Sequence, residues 1–155
     1  MKKKKLSAIA LSVSLVGSLM LAGVASAASN DFTGWPKLQS GSSGGYVRAL
    51  QANLYAFGQS AKVGTIDGSY GSGTTSAVKA FQSGEGLTSD GIVGSGSWNK
   101  MSEYTTVETY NGSFYLWTGK STTYWVDYIN QSGGGLKYYL RYKSDSSLVG
   151  SGTVY

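Results

Sequence analysis

The chain has 155 residues, thirteen of them Lys or Arg against eight Asp or Glu, a formal net charge of +5, and neither histidine nor cysteine. Without those two residue types it cannot build a Ser-His-Asp triad, a Cys-His peptidase or transpeptidase, a His-ligated zinc hydrolase or a disulfide framework. Four of the thirteen cations are Lys2 to Lys5; the remaining nine against eight acids give no clustered basic footprint of the kind nucleic acid requires.

Those four lysines open the first element. A basic head, an apolar run from Leu6 to Val24 and the small-residue ending Ala25-Ser26-Ala27 fit a secretory signal peptide cut after Ala27. An uncleaved anchor is the alternative, because the run is nearly long enough to span a bilayer. Cleavage leaves about 128 residues, enough for one domain or two very small ones. Such a protein is expected to be secreted, with no membrane partner and no nucleic-acid partner.

Residues 28–34 read as a linker into Trp35-Pro36-Lys37-Leu38, and Gln39 to Gly45 is a loop rich in breakers. A helix is expected from about Gly45 to Phe57, with Val47, Leu50 and Leu54 inward, Ser42 or Ser43 as cap and Gly58 as stop. Gln59 to Gly64 reads as a loop. Then one phrase occurs twice. Asp67-Gly68-Ser69-Tyr70-Gly71-Ser72-Gly73-Thr74 returns as Asp90-Gly91-Ile92-Val93-Gly94-Ser95-Gly96-Ser97. Each copy suits a tight turn feeding a helix: Asp bonds its own backbone, Gly takes positive φ, and a hydroxyl caps the helix. The helices expected are about Ser72–Ser83, stopped by Gly84, and about Gly94–Ser102.

These residues spell a family pattern. Leu38, Gly41, Val47, Leu50-Gln51, Leu54 and Gly58 are followed by Asp67-Gly68, Tyr70-Gly71, Thr74, Ala77-Val78 and Phe81-Gln82. Gly86-Leu87, Asp90-Gly91, Gly94 and Ser97-Trp98 complete it. The pattern resembles the peptidoglycan-binding domain of the first type, a three-helix module found on many cell-wall hydrolases, over about residues 35–103. The departures are Ser97, where threonine is usual, and Gly44-Gly45, where a polar residue often precedes the helix. The resemblance implies peptidoglycan as partner and a cell-wall location. It carries no activity by itself.

From Thr105 on, eleven of fifty-one residues are Tyr, Trp or Phe. Five strands are expected, at Thr105–Tyr110, Ser113–Thr118, Thr122–Asn130, Leu136–Lys143 and Leu148–Tyr155. Asn111-Gly112 is the hairpin turn between the first two. Leu136, Tyr138, Leu140 and Tyr142 alternate with Lys137, Tyr139, Arg141 and Lys143, which implies one packed and one solvated face. The fold class expected is α+β: a three-helix domain at 35–103, then a small antiparallel all-β domain at 105–155, arranged as a meander, sandwich or barrel.

The candidate ligand-binding residues are Arg48, Gln51, Asp67, Tyr70, Gln82 and Asp90. Each has a structural reading beside the functional one. The two aspartates hold the turns or meet the wall; as general acids they lack a paired carboxylate across a cleft. Gln51 and Gln82 bond either the wall's amides or the neighbouring turns. Tyr70 meets ligand or fills the core, as the family's aromatic there does. Arg48 pairs with a stem-peptide carboxylate or lies on a solvated face. In the β half, Trp117, Tyr124, Trp125 and Tyr139, with Tyr128, cannot all point inward from alternating strands; either they form a second binding surface for a protein or glycan, or a two-layer sandwich or small barrel swallows most of them. No cofactor and no metal site are expected. The function expected is non-catalytic attachment to peptidoglycan; the alternative is a wall-anchored effector whose β half acts as an inhibitor or toxin.

Overall fold

A computed structural model describes residues 32–110 and 113–155, without the side chains of 107–117. The expected signal peptide and the Asn111-Gly112 turn lie outside the described residues. Four helices come first: α1 at Gly45–Ala56, α2 at Ser60–Val63, α3 at Ser72–Gly84 and α4 at Ser95–Ser102. Five strands follow: β1 at Thr105–Tyr110, β2 at Ser113–Thr118, β3 at Tyr124–Asn130, β4 at Leu136–Tyr142 and β5 at Leu148–Thr153. The sheet is an antiparallel meander in the order β1-β2-β3-β4-β5, with an irregularity between Leu140 and Arg141.

The sheet does not close into a sandwich or barrel. Its second layer is α1, which packs against β3, β4 and β5 on one side and α2 and α3 on the other. Val47, Leu50 and Leu54 face the helices as their spacing requires, and they are fully buried. A second stripe, Gly45, Ala49, Asn53 and Ala56, faces the sheet. A Cβ on Gly45 would lie 2.4 Å from the Val154 carbonyl oxygen. Tyr128 donates its hydroxyl to Asn53 Oδ1 at 3.0 Å, and the Ser121 N–H donates to the Ala56 carbonyl at 2.7 Å. Small residues at helical spacing let a sheet approach a helix backbone this closely. Of the Gly44-Gly45 departure from the family pattern, Gly45 therefore has a steric cause, while Gly44 has a backbone one, a φ of 105°.

Val126, Tyr128, Leu136, Tyr138, Leu140 and Val154 join the helical residues in one core cluster. Phe32, expected in a linker, is 3% exposed and sits in that core. Its ring meets Trp35 at 4.7 Å and Tyr128 at 5.8 Å, and Trp35 in turn meets Trp98 at 5.0 Å. The segment before the helices thus seals the joint between helices and sheet. An ion pair closes the far end, where Lys120 reaches Glu85 at 2.7 Å and Tyr104 donates to the same carboxylate at 2.8 Å.

The caps differ from expectation. The N-caps of α1, α3 and α4 are Gly44, Gly71 and Gly94, and none carries a side-chain cap bond. Ser42 accepts the Gln39 N–H instead. Thr74 and Ser97 accept from the side chains of Gln51 and Gln82. Residues 60–63, expected in a loop, make the one-turn α2.

Candidate functional site

The two Asp-Gly phrases fold into two elbows of the same construction. In the first, Gln51 reaches across from α1 and donates through Nε2 to Asp67 Oδ1 (2.9 Å), the Ser69 carbonyl (3.1 Å) and Thr74 Oγ1 (3.1 Å). Its Oε1 accepts the Gly68 N–H at 2.9 Å. In the second, Gln82 reaches from α3 to Asp90 Oδ1 (2.9 Å), the Ile92 carbonyl (2.8 Å) and Ser97 Oγ (3.2 Å), and its Oε1 accepts the Gly91 N–H at 2.9 Å. Each aspartate also accepts the N–H two residues on, from Ser69 and Ile92, both at 2.8 Å. Gly68 and Gly91 have φ near +79° and +77°, the left-handed conformation this turn demands.

A cation lies over each elbow. A Cβ on Gly68 would come within 3.0 Å of the Arg48 side chain, and one on Gly91 within 3.0 Å of Lys79. Arg48 and Lys79 each stand three residues before the glutamine of their helix. Tyr70 couples the two elbows by donating its hydroxyl to the Gly91 carbonyl at 2.8 Å. Residues 38–44 run between them, bridging Leu38 to Val93 and Ser43 to Ser69.

Burial divides the six candidates. Gln51 (1% exposed), Gln82 (2%) and Tyr70 (2%) point inward, their polar atoms bonded within the protein. Arg48, Asp67 and Asp90 are exposed. The surface therefore offers a ligand two carboxylates and a guanidinium, with Lys79 and Lys37 beside them. Lys79 and Lys37 carried no signal in the sequence; the repeat offset from Arg48 would have found Lys79. The Gln51 amide and the Ser69 N–H hold the Asp67 carboxyl below the usual carboxylate range, aided by Arg48. The Ile92 N–H and Gln82 do the same for Asp90, with Lys37 contributing. Burial pushes the Tyr70 phenol up, so it stays protonated. Beside the second elbow an open hollow of about 400 Å³ is lined by Lys37, Asp90, Ile92, Gly94 and Ser95 among others.

The second-surface candidates separate. Tyr124 lies on the helix side of the sheet, its ring 5.4 Å from Tyr55. Trp125 and Tyr139 are half-buried and share the Arg141 guanidinium, 5.9 and 5.5 Å from their ring centres. The Trp117 side chain lies outside the described residues. Beside Arg141 lies Asp127, which the sequence did not single out: it is 4% exposed, with Oδ1 3.7 Å from Arg141 Nε. Burial pushes its carboxyl up to about 6, against the pull of Arg141. Among the described residues no group of three His, Cys, Asp or Glu side chains could hold a metal.

Against known proteins, residues 43–101 match the family model described as "Putative peptidoglycan binding domain". Both elbows fall inside that match and the sheet falls outside it. The chain is 42% identical over 64 residues to a zinc D-Ala-D-Ala carboxypeptidase of Streptomyces albus G, covering 41% of this chain and 25% of that protein. It is 47% identical over 57 residues to the N-acetylmuramoyl-L-alanine amidase CwlL of Bacillus licheniformis, covering 37% of this chain and 16% of that one. The chain therefore spans a quarter or less of either enzyme. A third relative, an uncharacterized protein in the bpoA1 3' region of Kitasatospora aureofaciens, is 38% identical over 107 residues, 63% of this chain and 89% of its own length. That similarity is longer than the family match.

Proposed function

Residues 43–101 belong to the peptidoglycan-binding domain family, and we propose that the chain is a secreted protein that attaches to cell-wall peptidoglycan without cutting it. The observation that carries the reading is the doubled elbow: two turns of identical wiring present Asp67, Asp90 and their flanking cations on the surface. Paired carboxylates and cations suit a polymer whose peptides bear both amide groups and carboxylates. A repeating partner suits a repeated site, because engaging one elbow raises the effective concentration at the other.

Two features support a non-catalytic role. Asp67 and Asp90 are held ionised by their own turns, so neither can donate a proton as a general acid near neutral pH. The enzymes similar to this chain match it over lengths close to the binding domain, and this chain has no histidine or cysteine to supply a zinc site or a nucleophile pair. The outer face of the sheet, with Trp125, Tyr139 and Arg141, serves in this reading as a second contact for the same wall.

The test is sedimentation of the full chain with purified sacculi, scored beside turbidity of the suspension. The protein is expected in the pellet with turbidity unchanged. The double variant Asp67→Asn, Asp90→Asn keeps each Oδ1 acceptor and loses the charge, and it should bind about tenfold more weakly, the scale of one charged hydrogen bond. Protein left in the supernatant, or a clearing suspension, would refute the reading.

A further inference from the structure

The loop leading into the first elbow faces the end of the sheet across a cleft of about 400 Å³. Gly64 to Ile66 and Tyr55 form one wall; Tyr138 of β4 and Val149 to Ser151 of β5 form the other. Neither the helices nor the sheet makes this cleft alone, and it lies outside the family match on one side.

Two glycines of β5 face inward, Gly152 opposite Tyr138 and Gly150 opposite Leu140. Gly152 has an internal reason: a Cβ there would lie 2.9 Å from the Tyr138 ring. Gly150 has none. A Cβ there would meet nothing within 4 Å, and its φ is not in the left-handed region. The side chain missing at 150 leaves room that no described residue fills.

The rim of the cleft is an open strand edge. β5 is the last strand in the sheet. The Val154 N–H donates to the Leu136 carbonyl at 2.7 Å, so by antiparallel alternation Gly152 and Gly150 bond toward β4 while Ser151 turns its backbone groups outward; Val149 is the extra residue at the register shift between Gly150 and Leu148 and falls outside that alternation. The start of α1 covers the far end of that edge, where Gly45 abuts the Thr153 and Val154 carbonyls. The stretch from Val149 to Ser151 has no strand beside it among the described residues. Arg48 lies over Gly68, and its charge opposes the rise that burial causes in the phenol of Tyr138, a residue of the cleft wall.

We propose that this cleft takes a short extended peptide of the stem-peptide class in peptidoglycan, added along the free edge of β5 with a carboxylate toward Arg48. The inference rests on the wall-binding reading and adds which part of the polymer is read. A strand edge supplies N–H and C=O groups at the spacing of peptide amides. The walls, built from Tyr55, Ile66, Tyr138 and Val149, suit short aliphatic side chains.

The experiment titrates the full chain, and full-length Gly150→Ala and Gly150→Leu variants, with disaccharide-peptide muropeptides and with glycan strands stripped of peptide by an amidase. Sacculus sedimentation and thermal unfolding are recorded for each protein. Muropeptide affinity is expected to fall a few-fold for Gly150→Ala and at least tenfold for Gly150→Leu, with melting temperature kept or raised. Stripped glycan should bind all three proteins equally or not at all. Equal muropeptide affinity across the series, with wild type still in the sacculus pellet, overturns the cleft and leaves wall binding intact. Stripped glycan bound by wild type and blocked by Gly150→Leu overturns the peptide assignment. Wild type that fails to sediment overturns both. Should Gly150→Leu lose its melting transition, Gly150→Ala decides by the same criterion.

Discussion

A leucine at Gln82 would keep the side chain's bulk and remove every bond it makes. The Gly91 N–H and the Ile92 carbonyl would lose their partner inside the protein. Leaving a buried polar group unmatched costs about 1–3 kcal/mol, so Gln82→Leu, and likewise Gln51→Leu, should lose about 3 kcal/mol or more. Chemical denaturation would read this as a lower midpoint at unchanged slope. Asp127 acts in the opposite sense. Its carboxyl titrates near 6 in the folded chain against an ordinary 3.8, so protonation favours the fold. That stability is complete below about pH 4 and disappears as pH rises through 6. Asp127→Asn should therefore stabilise the protein at pH 7 by on the order of 1–3 kcal/mol, with the gain vanishing below pH 4 in a pH series of melting curves. At this scale the Asp-Gly phrases were legible because a turn is written in adjacent residues. For Gln51 and Gln82 the sequence left two readings, the neighbouring turns or the wall's amides; the turns' aspartates lie sixteen and eight residues away, and only the fold brings them within reach.

Among elements, α1 carries the most. The sequence shows its Val47, Leu50, Leu54 stripe because large apolar residues recur at helical spacing. Its second stripe, Gly45, Ala49, Asn53 and Ala56, is silent to the same reading, since small and polar residues give no apolar period. Gly45→Ala should cost several kcal/mol, because the new methyl meets backbone that cannot retreat. Gly96→Ala, in the first turn of α4 with nothing within 4 Å, is the control and should gain about 0.5 kcal/mol through helix propensity. Paired thermal melts decide both. The one-turn α2 escaped notice because four residues leave no period to detect. The helix ends were read as hydroxyl caps, whereas Thr74 and Ser97 turn inward to the glutamines, a competition visible only once α1 and α3 are placed.

For the molecule as a whole, the sequence divides near Tyr104, where apolar helical spacing gives way to aromatic strands. The core does not divide there. Phe32, Trp35 and the sheet side of α1 pack with Tyr128 and Val126 in one cluster, so the chain should unfold in a single calorimetric transition. Removing residues 105–155 should abolish cooperative unfolding of the remainder, because α1 would expose its second face to water; a sharp transition in the truncated chain would contradict a shared core. The docked sheet is also what places a strand edge beside the first elbow. The most direct test is to follow backbone amide resonances of the full chain during titration with soluble peptidoglycan fragments. Shifts should concentrate in residues 37–48, 65–71 and 88–97, with Val149 to Ser151 joining them. Saturating fragment with no shift at either elbow would contradict the account.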